Sequence, residues 1–322
     1  MLSPSPERAP SDNPGYRRVF RQDCLTLGVM LPIEAYRGDA PTLHDQVRLA
    51  QFAEEAGFAS LGFRDVPLRD PSFGDLGQIH DPWVYMGYLA GQTREIALLT
   101  TSIVLPLRHP LHTAKAAASI DRLTGGRLLL GIASGDRPVE FPAFGVDAQT
   151  RGAAFREQVE LLHRAWAESF PDLQGSYGHL SGADLVPKPV ASHVPLLVTG
   201  QSQSDLSWIA RHADGWLTYP RQLDAQANMV RRWRMEVEAA SPGRFKPFAQ
   251  SYYLDLAEQA AQPATPIHLG HRVGRHGLAA YLEMLRVVGV NHVILNLKYG
   301  QRPAAEVLQE LAEFVLPSFG IR

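Results

Sequence analysis

Eight short apolar runs alternate with stretches of helical period, and this alternation limits the possible folds more than any other feature of the chain. Several runs, such as LLLGIA and HVILNL, are nearly continuous in Leu, Ile and Val, which is typical of parallel strands buried on both faces. The runs span residues 25–31, 59–63, 96–105, 127–133, 195–199, 215–219, 248–256 and 292–297. They predict a (β/α)8 TIM barrel, for which 322 residues is an ordinary length. The alternative, a doubly wound open sheet, needs a glycine signature after its first strand, where this chain reads LPIE.

The segments between the runs carry helix patterns. Phe155, Val159, Leu162 and Trp166 recur at spacings of three and four residues, which places them on one apolar face. Loops rich in Pro and Gly flank this helix at 134–147 and 170–194. Long loops in compact domains are often functional, so we expect them near a site.

The first 22 residues differ in composition from the rest of the chain. Four prolines interleaved with Ser, Asp and Arg predict a flexible arm over residues 1–22, followed by a single barrel domain over 23–322. Cys24 is the sole cysteine, which excludes an intramolecular disulfide framework. The cytoplasm is therefore the expected compartment.

Several functional classes lack their sequence signatures. No apolar run approaches the roughly 20 residues of a membrane span, and a net charge of −2 gives no general attraction to nucleic acid. Nucleotide-binding glycine motifs and the GxSxG nucleophile motif are missing. Two groups of histidines lack HExxH spacing, so we interpret them as surface or loop residues and expect no metal site. These histidines are His109, His112, His268, His271 and His276.

Two pairs of opposite charges stand at predicted strand ends. Arg64 and Asp65 end the second strand, and Asp136 and Arg137 follow the fourth. In a barrel both pairs lie on the C-terminal face, where catalytic groups collect. The residues alone leave two interpretations equally open, a salt-bridged network that holds loops and a direct role in the site.

The stretch TSIVLPLRHPLHTAKAAASIDRLTGGRLLLGIASGD, at 101–136, resembles the luciferase-like flavin-dependent monooxygenases. The similarity continues through FGVD at 144–147 and Arg151 and covers most of residues 25–219, whereas the last third agrees in layout only. The segment GDRPVEFPAFG resembles the bacterial luciferase-type oxidoreductase subgroup.

This resemblance implies a (β/α)8 barrel that binds reduced FMN or, in some members, a deazaflavin coenzyme. It implies a cis peptide bond between Thr101 and Ser102, against which the flavin ring rests. It also implies phosphate binding by the loops after the fourth and fifth strands. The matching cofactor-binding residues are Ser134, Gly135, Gly200, Gln201, Ser202 and Ser204. Free amides of the helix after the fifth strand would add an anion site.

The chain departs from the bacterial luciferases at three positions. Ser134 replaces an arginine that helps to hold phosphate, Ala133 replaces a reactive cysteine, and Asp65 replaces a catalytic histidine. The phosphate charge must then be met by backbone amides and by another cation. The last two changes argue against light emission, and the polar candidates for catalysis are Arg64, Asp65, His109 and Arg137.

Three functions follow from the resemblance. They are an FMN-dependent monooxygenase of a small organic substrate, a deazaflavin-dependent dehydrogenase, and a flavin-binding protein without turnover. A flavin reductase would be the partner that supplies reduced flavin. A homodimer through helices at 81–93 and 111–123 is expected, with neither nucleic acid nor membrane as a partner.

Overall fold

The computed structural model describes residues 12–320, in which eight parallel strands close into a barrel. The barrel strands are β1 Thr26–Met30, β2 Ser60–Phe63, β3 Ala97–Thr100, β4 Leu128–Ala133, β5 Leu196–Thr199, β6 Gly215–Thr218, β7 Phe248–Leu256 and β8 His292–Asn296. Each strand pairs in parallel with the next, and β8 pairs with β1. The predicted (β/α)8 barrel is confirmed.

Helices surround the barrel and connect successive strands. They are α1 Pro14–Val19, α2 Gln46–Ala56, α3 Pro82–Ala90, α4 Pro110–Leu123, α5 Glu140–Ala143, α6 Arg151–Ala167, α7 Leu206–His212, α8 Leu223–Ala240, α9 Arg275–Val287 and α10 Ala304–Phe314. Short 3-10 turns occur at Leu105–Leu107 and Leu316–Ser318.

Alternate side chains along each strand pack into two different hydrophobic cores. In β4, Leu128 and Leu130 belong to the large core between strands and helices, whereas Leu129 belongs to the smaller core inside the barrel. Both faces of the strand are therefore apolar, which explains why its sequence lacks polar alternation.

Helix α1 closes the N-terminal end of the barrel, so the flexible arm predicted over 1–22 is wrong for its described part, residues 12–22. Asn13 caps this helix by accepting a hydrogen bond of 2.9 Å from the Tyr16 amide, and Pro14 occupies the first turn. Tyr16, Val19 and Phe20 pack into the inner barrel core. Burial of these apolar side chains stabilises a segment whose composition resembles a disordered one. Residues 1–11 lie outside the described residues.

Extra segments collect on the C-terminal face. Residues 64–81 form a long loop between β2 and α3, a hairpin of Leu173–Gly175 and Gly178–Leu180 follows α6, and a second hairpin of Thr265–Ile267 and Gly270–Val273 follows β7. After β3, the peptide bond between Thr101 and Ser102 is cis, as predicted.

Candidate functional site

A cavity of about 790 Å³ opens at the C-terminal ends of the barrel strands. This volume lies within the usual range for small-molecule and cofactor sites. Its walls consist of the segments that follow all strands from β2 to β8 and of the last part of β4, β5 and β7. The lining residues include all predicted cofactor residues, namely Thr101, Ser102, Ser134, Gly135, Gly200, Gln201, Ser202 and Ser204.

One wall of this cavity is built from hydroxyl groups that fix one another. The Ser102 and Thr199 hydroxyls form a hydrogen bond between the ends of β3 and β5. Ser202 donates to the Thr199 carbonyl at 2.7 Å and accepts from the Ser134 amide at 3.3 Å. The ends of β3, β4 and β5 thus hold a set of groups that can both donate and accept hydrogen bonds.

The loop after β5 has an unusual backbone conformation. Gly200, Ser202 and Gln203 have left-handed φ angles of 57°, 45° and 57°. The amides of Gln201, Ser202 and Gln203 make no hydrogen bond to any other residue of 12–320. Exposed amides in such turns form concavities that bind anions.

The helix after this loop differs from the sequence expectation. Asp205 caps α7 and accepts a hydrogen bond of 2.7 Å from the Trp208 amide. This end of the helix therefore already carries a carboxylate, and α7 has only seven residues. The free helix N-terminus that we expected after the fifth strand is not formed, so the loop itself must supply the amides.

A second wall carries a buried ion pair between Arg64 and Asp75. The guanidinium of Arg64 binds the carboxylate through two hydrogen bonds of 2.7 and 3.0 Å. Tyr36 and Tyr253 donate to the same carboxylate at 2.7 and 3.3 Å. The Nζ of Lys298 lies 3.7 Å from an Asp75 oxygen. The Asp75 carboxylate thus lies against two cations, Arg64 and Lys298, and accepts hydrogen bonds from two tyrosine hydroxyls.

These contacts change the acidity of the whole group. Although burial opposes ionisation, Arg64 and the hydroxyl donors hold the pKa of Asp75 well below its usual range. Burial raises the pKa of Tyr36 and Tyr253, so both phenols stay protonated near neutral pH. The group has two positive charges and one negative charge at the cavity wall.

Asp65 holds loops together through its ion pair with Arg108. Its carboxylate accepts hydrogen bonds of 2.9 and 2.7 Å from that guanidinium and of 3.1 Å from the Val104 amide. Arg108 also binds Asp81, the N-cap of α3, at 2.8 Å. Asp65 borders the cavity, but its oxygens are engaged by this network.

Arg137 lines the cavity without pairing with Asp65. Its guanidinium lies 4.5 Å from the centre of the Phe73 ring and donates to the Asp75 carbonyl at 3.0 Å. Its Nη1 and the Oε1 of Glu140 are buried and make no hydrogen bond within the described residues. A cation and a carboxyl group thus lie buried near the cavity with unused hydrogen-bonding capacity.

Burial raises the pKa of Glu140 to about 7, although Arg137 opposes the shift. Because the folded-state pKa exceeds the ordinary value of 4.5, ionisation of this group disfavours the folded state as pH rises from about 4.5 to about 7. Glu140→Gln removes this ionisation. We expect the free energy of unfolding of the variant, relative to wild type, to increase across that pH interval and then stay constant.

Urea unfolding at pH 5, 6, 7 and 8 checks this prediction. Glu160→Gln, at an exposed position on α6, provides the control and should show no such trend. A difference between Glu140→Gln and wild type that is independent of pH would contradict it.

The structure places one histidine, His109, away from the cavity and another, His268, in its lining. His109 lies outside the cavity lining, where it caps α4 and its Nδ1 accepts from the Leu111 amide at 3.3 Å. His268, interpreted from sequence as a surface or loop residue, lies on the hairpin after β7 and lines the cavity. Its ring contacts those of Tyr253 and Tyr299, with centroid distances of 5.7 and 5.9 Å.

Sequence reasoning missed Asp75, Tyr253, His268, Lys298 and Tyr299. Asp75 stands in the segment RDPSFGDLG, whose turn-forming residues and length mark a long loop after a barrel strand. Tyr253 lies within the run 248–256, which has more polar residues than the other strands. These signals could have directed attention to both positions but carry no information about the partner of either residue.

A second cavity of about 470 Å³ adjoins the first. The two share Gly200, Gln201 and Tyr219 in their linings. The remaining walls come from β6, α7, the start of α8 and its second and third turns. They consist of Leu206, Trp216, Thr218, Arg221, Met229 and Arg232.

Residues 12–320 contain neither a membrane span nor a cluster of metal ligands. No helix there is long and apolar enough to cross a membrane. No group of three or more His, Cys, Asp or Glu side chains within this part of the chain is arranged to hold a metal ion.

Comparison with protein families gives a match between residues 25–271 and the family of luciferase-like monooxygenases. An uncharacterized protein of Mycobacterium tuberculosis, Rv0953c, is 35% identical over 146 residues, which are 45% of this chain and 51% of that protein. The alkanal monooxygenase alpha chain of Photorhabdus luminescens is 26% identical over 167 residues. The match covers 52% of this chain and 45% of the Photorhabdus chain. Each match spans about half the length of these curated relatives.

Solved structures share the fold over nearly the whole chain. A monooxygenase from Streptomyces bottropensis, RslO1, superposes with a TM-score of 0.77 at 21% identity, covering 91% of this chain and 99% of that one. An F420-dependent secondary alcohol dehydrogenase also gives a TM-score of 0.77, at 18% identity, covering 92% of this chain and all of that one. At these identities the likeness concerns the fold.

Proposed function

The chain belongs to the luciferase-like monooxygenase family, and on that premise we propose that it is an FMN-dependent monooxygenase that uses reduced flavin and oxygen on a small organic substrate. The observation that carries the proposal is the cavity at the C-terminal face, where a hydroxyl wall adjoins the left-handed loop after β5. The hydroxyls suit the polar edge of a flavin, and the loop amides suit a phosphate.

The residues present fit such a cofactor. A Cβ atom placed on Gly200 would have no neighbour within 4 Å, so the backbone at the cavity is open to close approach by a ligand. Thr101 and Ser102, at the cis bond, share the lining with this loop, and the Ser102 hydroxyl bonds that of Thr199, directly before Gly200. FMN supplies the redox chemistry when bound, and the protein supplies orientation and exclusion of water.

The chain's own charged groups have distinct roles in this proposal. Arg64 and Arg137 present positive charge to the cavity and orient an electron-rich group of the cofactor or substrate. Asp65 positions Arg108 and the loop after β3, and Tyr253 with Tyr299 forms an aromatic wall that excludes water. His109 caps α4 and is given no catalytic role.

A deazaflavin-dependent dehydrogenase is the second candidate. The adjoining cavity of about 470 Å³ favours it, because it gives room beyond the loop after β5 for a coenzyme with a longer anionic side chain than FMN. Hydride transfer without oxygen would then replace oxygenation.

Reconstitution experiments test the proposal. The purified protein is titrated with FMN and with the deazaflavin coenzyme F420, and oxygen uptake is followed with a flavin reductase and NADH supplying reduced FMN. A monooxygenase should bind FMN and couple oxygen uptake to oxidation of an added organic substrate. Binding of F420 alone would favour the dehydrogenase. FMN binding without turnover across a broad substrate panel would identify a flavin-binding protein.

We also propose a homodimer through α3 and α4. Ala114, Ala117 and Ala118 are buried in their own chain and are not available to a partner. Val84, Tyr88 and Leu123, however, are 73%, 55% and 82% exposed, and apolar side chains this exposed favour a contact between copies. We expect a dimeric mass by light scattering at micromolar concentration and a weakened dimer in Val84→Asp with Tyr88→Asp. A monomeric wild type would contradict this.

A further inference from the structure

The phosphate of the proposed cofactor requires a cation near the β5 loop, and Arg137, the cation of the β4 loop, is held by the Phe73 ring and the Asp75 carbonyl. A phosphate monoester carries about −1.5 to −2 charges at pH 7. Ser134 and the amides of the β5 loop carry no net charge. A cation must therefore reach Gly200–Ser204 from another element.

The other arginines near this loop are already engaged. Arg156 donates to the Gln203 carbonyl at 2.9 Å. The Trp208 amide and the Ser207 hydroxyl, followed by Arg211 and Arg156, lower the pKa of Asp205. Arg151 is bound to the Ala148 carbonyl and lies 5.5 Å from the Phe141 ring centre.

Arg221 and Arg232 remain, and both line the second cavity. Neither guanidinium has a hydrogen bond or an ion pair with any residue of the described chain. The lining of this cavity contains no carboxylate. The nearest acidic residues in sequence are Asp224, three residues after Arg221, and Glu236, four residues after Arg232, and both are outside the lining. The cavity therefore has an uncompensated positive charge.

The walls of the second cavity increase the effect of this charge. Leu206, Trp216 and Met229 make them largely apolar, and a lower local dielectric strengthens attraction to an anion. The Trp216 indole donates to the Gly200 carbonyl at 2.6 Å, which fixes this wall to the loop. Since Gly200 and Gln201 border both cavities, an anion at the loop faces the two arginines.

We propose that Arg221 and Arg232 bind the phosphate of the cofactor, so that the second cavity is its anion site. This inference rests on the proposed function, because it requires a flavin-type cofactor in the first cavity. Positive charge from Arg221, in the loop before α8, and from Arg232 on α8 then meets the charge of the phosphate.

Binding titrations test this assignment. Arg221→Gln and Arg232→Gln each remove one charge from the cavity, and each should raise the Kd for FMN roughly tenfold, with a larger effect in the double variant. Riboflavin, which lacks the phosphate, should bind all variants within about twofold of wild type. Arg231→Gln is the matched control, since it removes the same charge from α8 at a residue that binds Asn228 and lies outside the cavity lining.

The possible results separate the two proposals. Unchanged FMN affinity in the double variant, or equal weakening of FMN and riboflavin, overturns the assignment while leaving the function intact. If F420 binds in place of FMN and its Kd rises in the same two variants, the assignment of the two arginines as the anion site is supported. The cofactor is then F420, as the second candidate function requires. A wild type that binds neither cofactor overturns both proposals.

Discussion

Gly200→Asp should raise the Kd for FMN by more than about a hundredfold while the barrel stays folded. Gly200 has a φ of 57°, a conformation that Asp and Asn adopt more readily than most residues, and its Cβ position is open. The new carboxylate would face the phosphate. At about 4 Å and an effective dielectric constant near 20, repulsion between unit charges is roughly 4 kcal/mol, so even a partly screened effect is large.

Gly200→Asn provides the matched control, because it places the same side-chain shape in the same backbone conformation without the charge. Fluorescence titration with FMN, after circular dichroism has verified the fold, measures the difference between the two variants. Equal Kd values for the Asp and Asn variants would show that the phosphate lies away from this loop.

Asp75→Asn should lower the free energy of unfolding at pH 7 by about 3–5 kcal/mol. The carboxylate is the counter-charge of Arg64 and Lys298, and its loss leaves two buried cations without an anionic partner. An amide retains the shape of the carboxylate but replaces one acceptor oxygen with a donor, which opposes the Arg64 guanidinium.

The same substitution has a defined dependence on pH. The folded-state pKa of Asp75 lies below its unfolded value of about 3.9, so its stabilising contribution is present above about pH 4 and is lost as pH falls further. Urea unfolding at pH 7, 4 and 3 should show the difference between wild type and Asp75→Asn shrinking with acidity.

Asp39→Asn is the control for this experiment, because Asp39 also pairs with an arginine, but that partner, Arg69, is exposed to solvent. Its effect on stability should be small at every pH. If Asp75→Asn destabilises no more than Asp39→Asn, Asp75 is not the central anion of the cavity wall.

The fold was predictable because its determinants are local. Each strand of the barrel is an apolar run, and each run ends within a few residues of the strand observed, as in 127–133 and Leu128–Ala133. Helix α1 was missed because its stability comes from the burial of Tyr16, Val19 and Phe20 inside the barrel, and not from the helix propensity of its six residues.

The site was predictable only in part, for the same physical reason. Ser102, Ser134 and Gly200 directly follow strands, so the barrel brings them together. Asp75 and His268 lie twelve residues beyond the ends of the barrel strands β2 and β7, and their positions depend on how a loop and a hairpin fold over the barrel mouth. No periodic pattern in the sequence encodes that path.

The burial of α1 also sets an order of events during synthesis of the chain. Its docking surface includes Ala249 of β7 and Ile294 of β8, and the Phe20 ring lies 6.0 Å from that of His292. A ribosome releases α1 first, yet almost the whole chain must emerge before this surface is complete. Helix α1 therefore cannot dock completely until β8 has been synthesised. A nascent chain halted before β8 exposes the apolar side chains of α1 to chaperones.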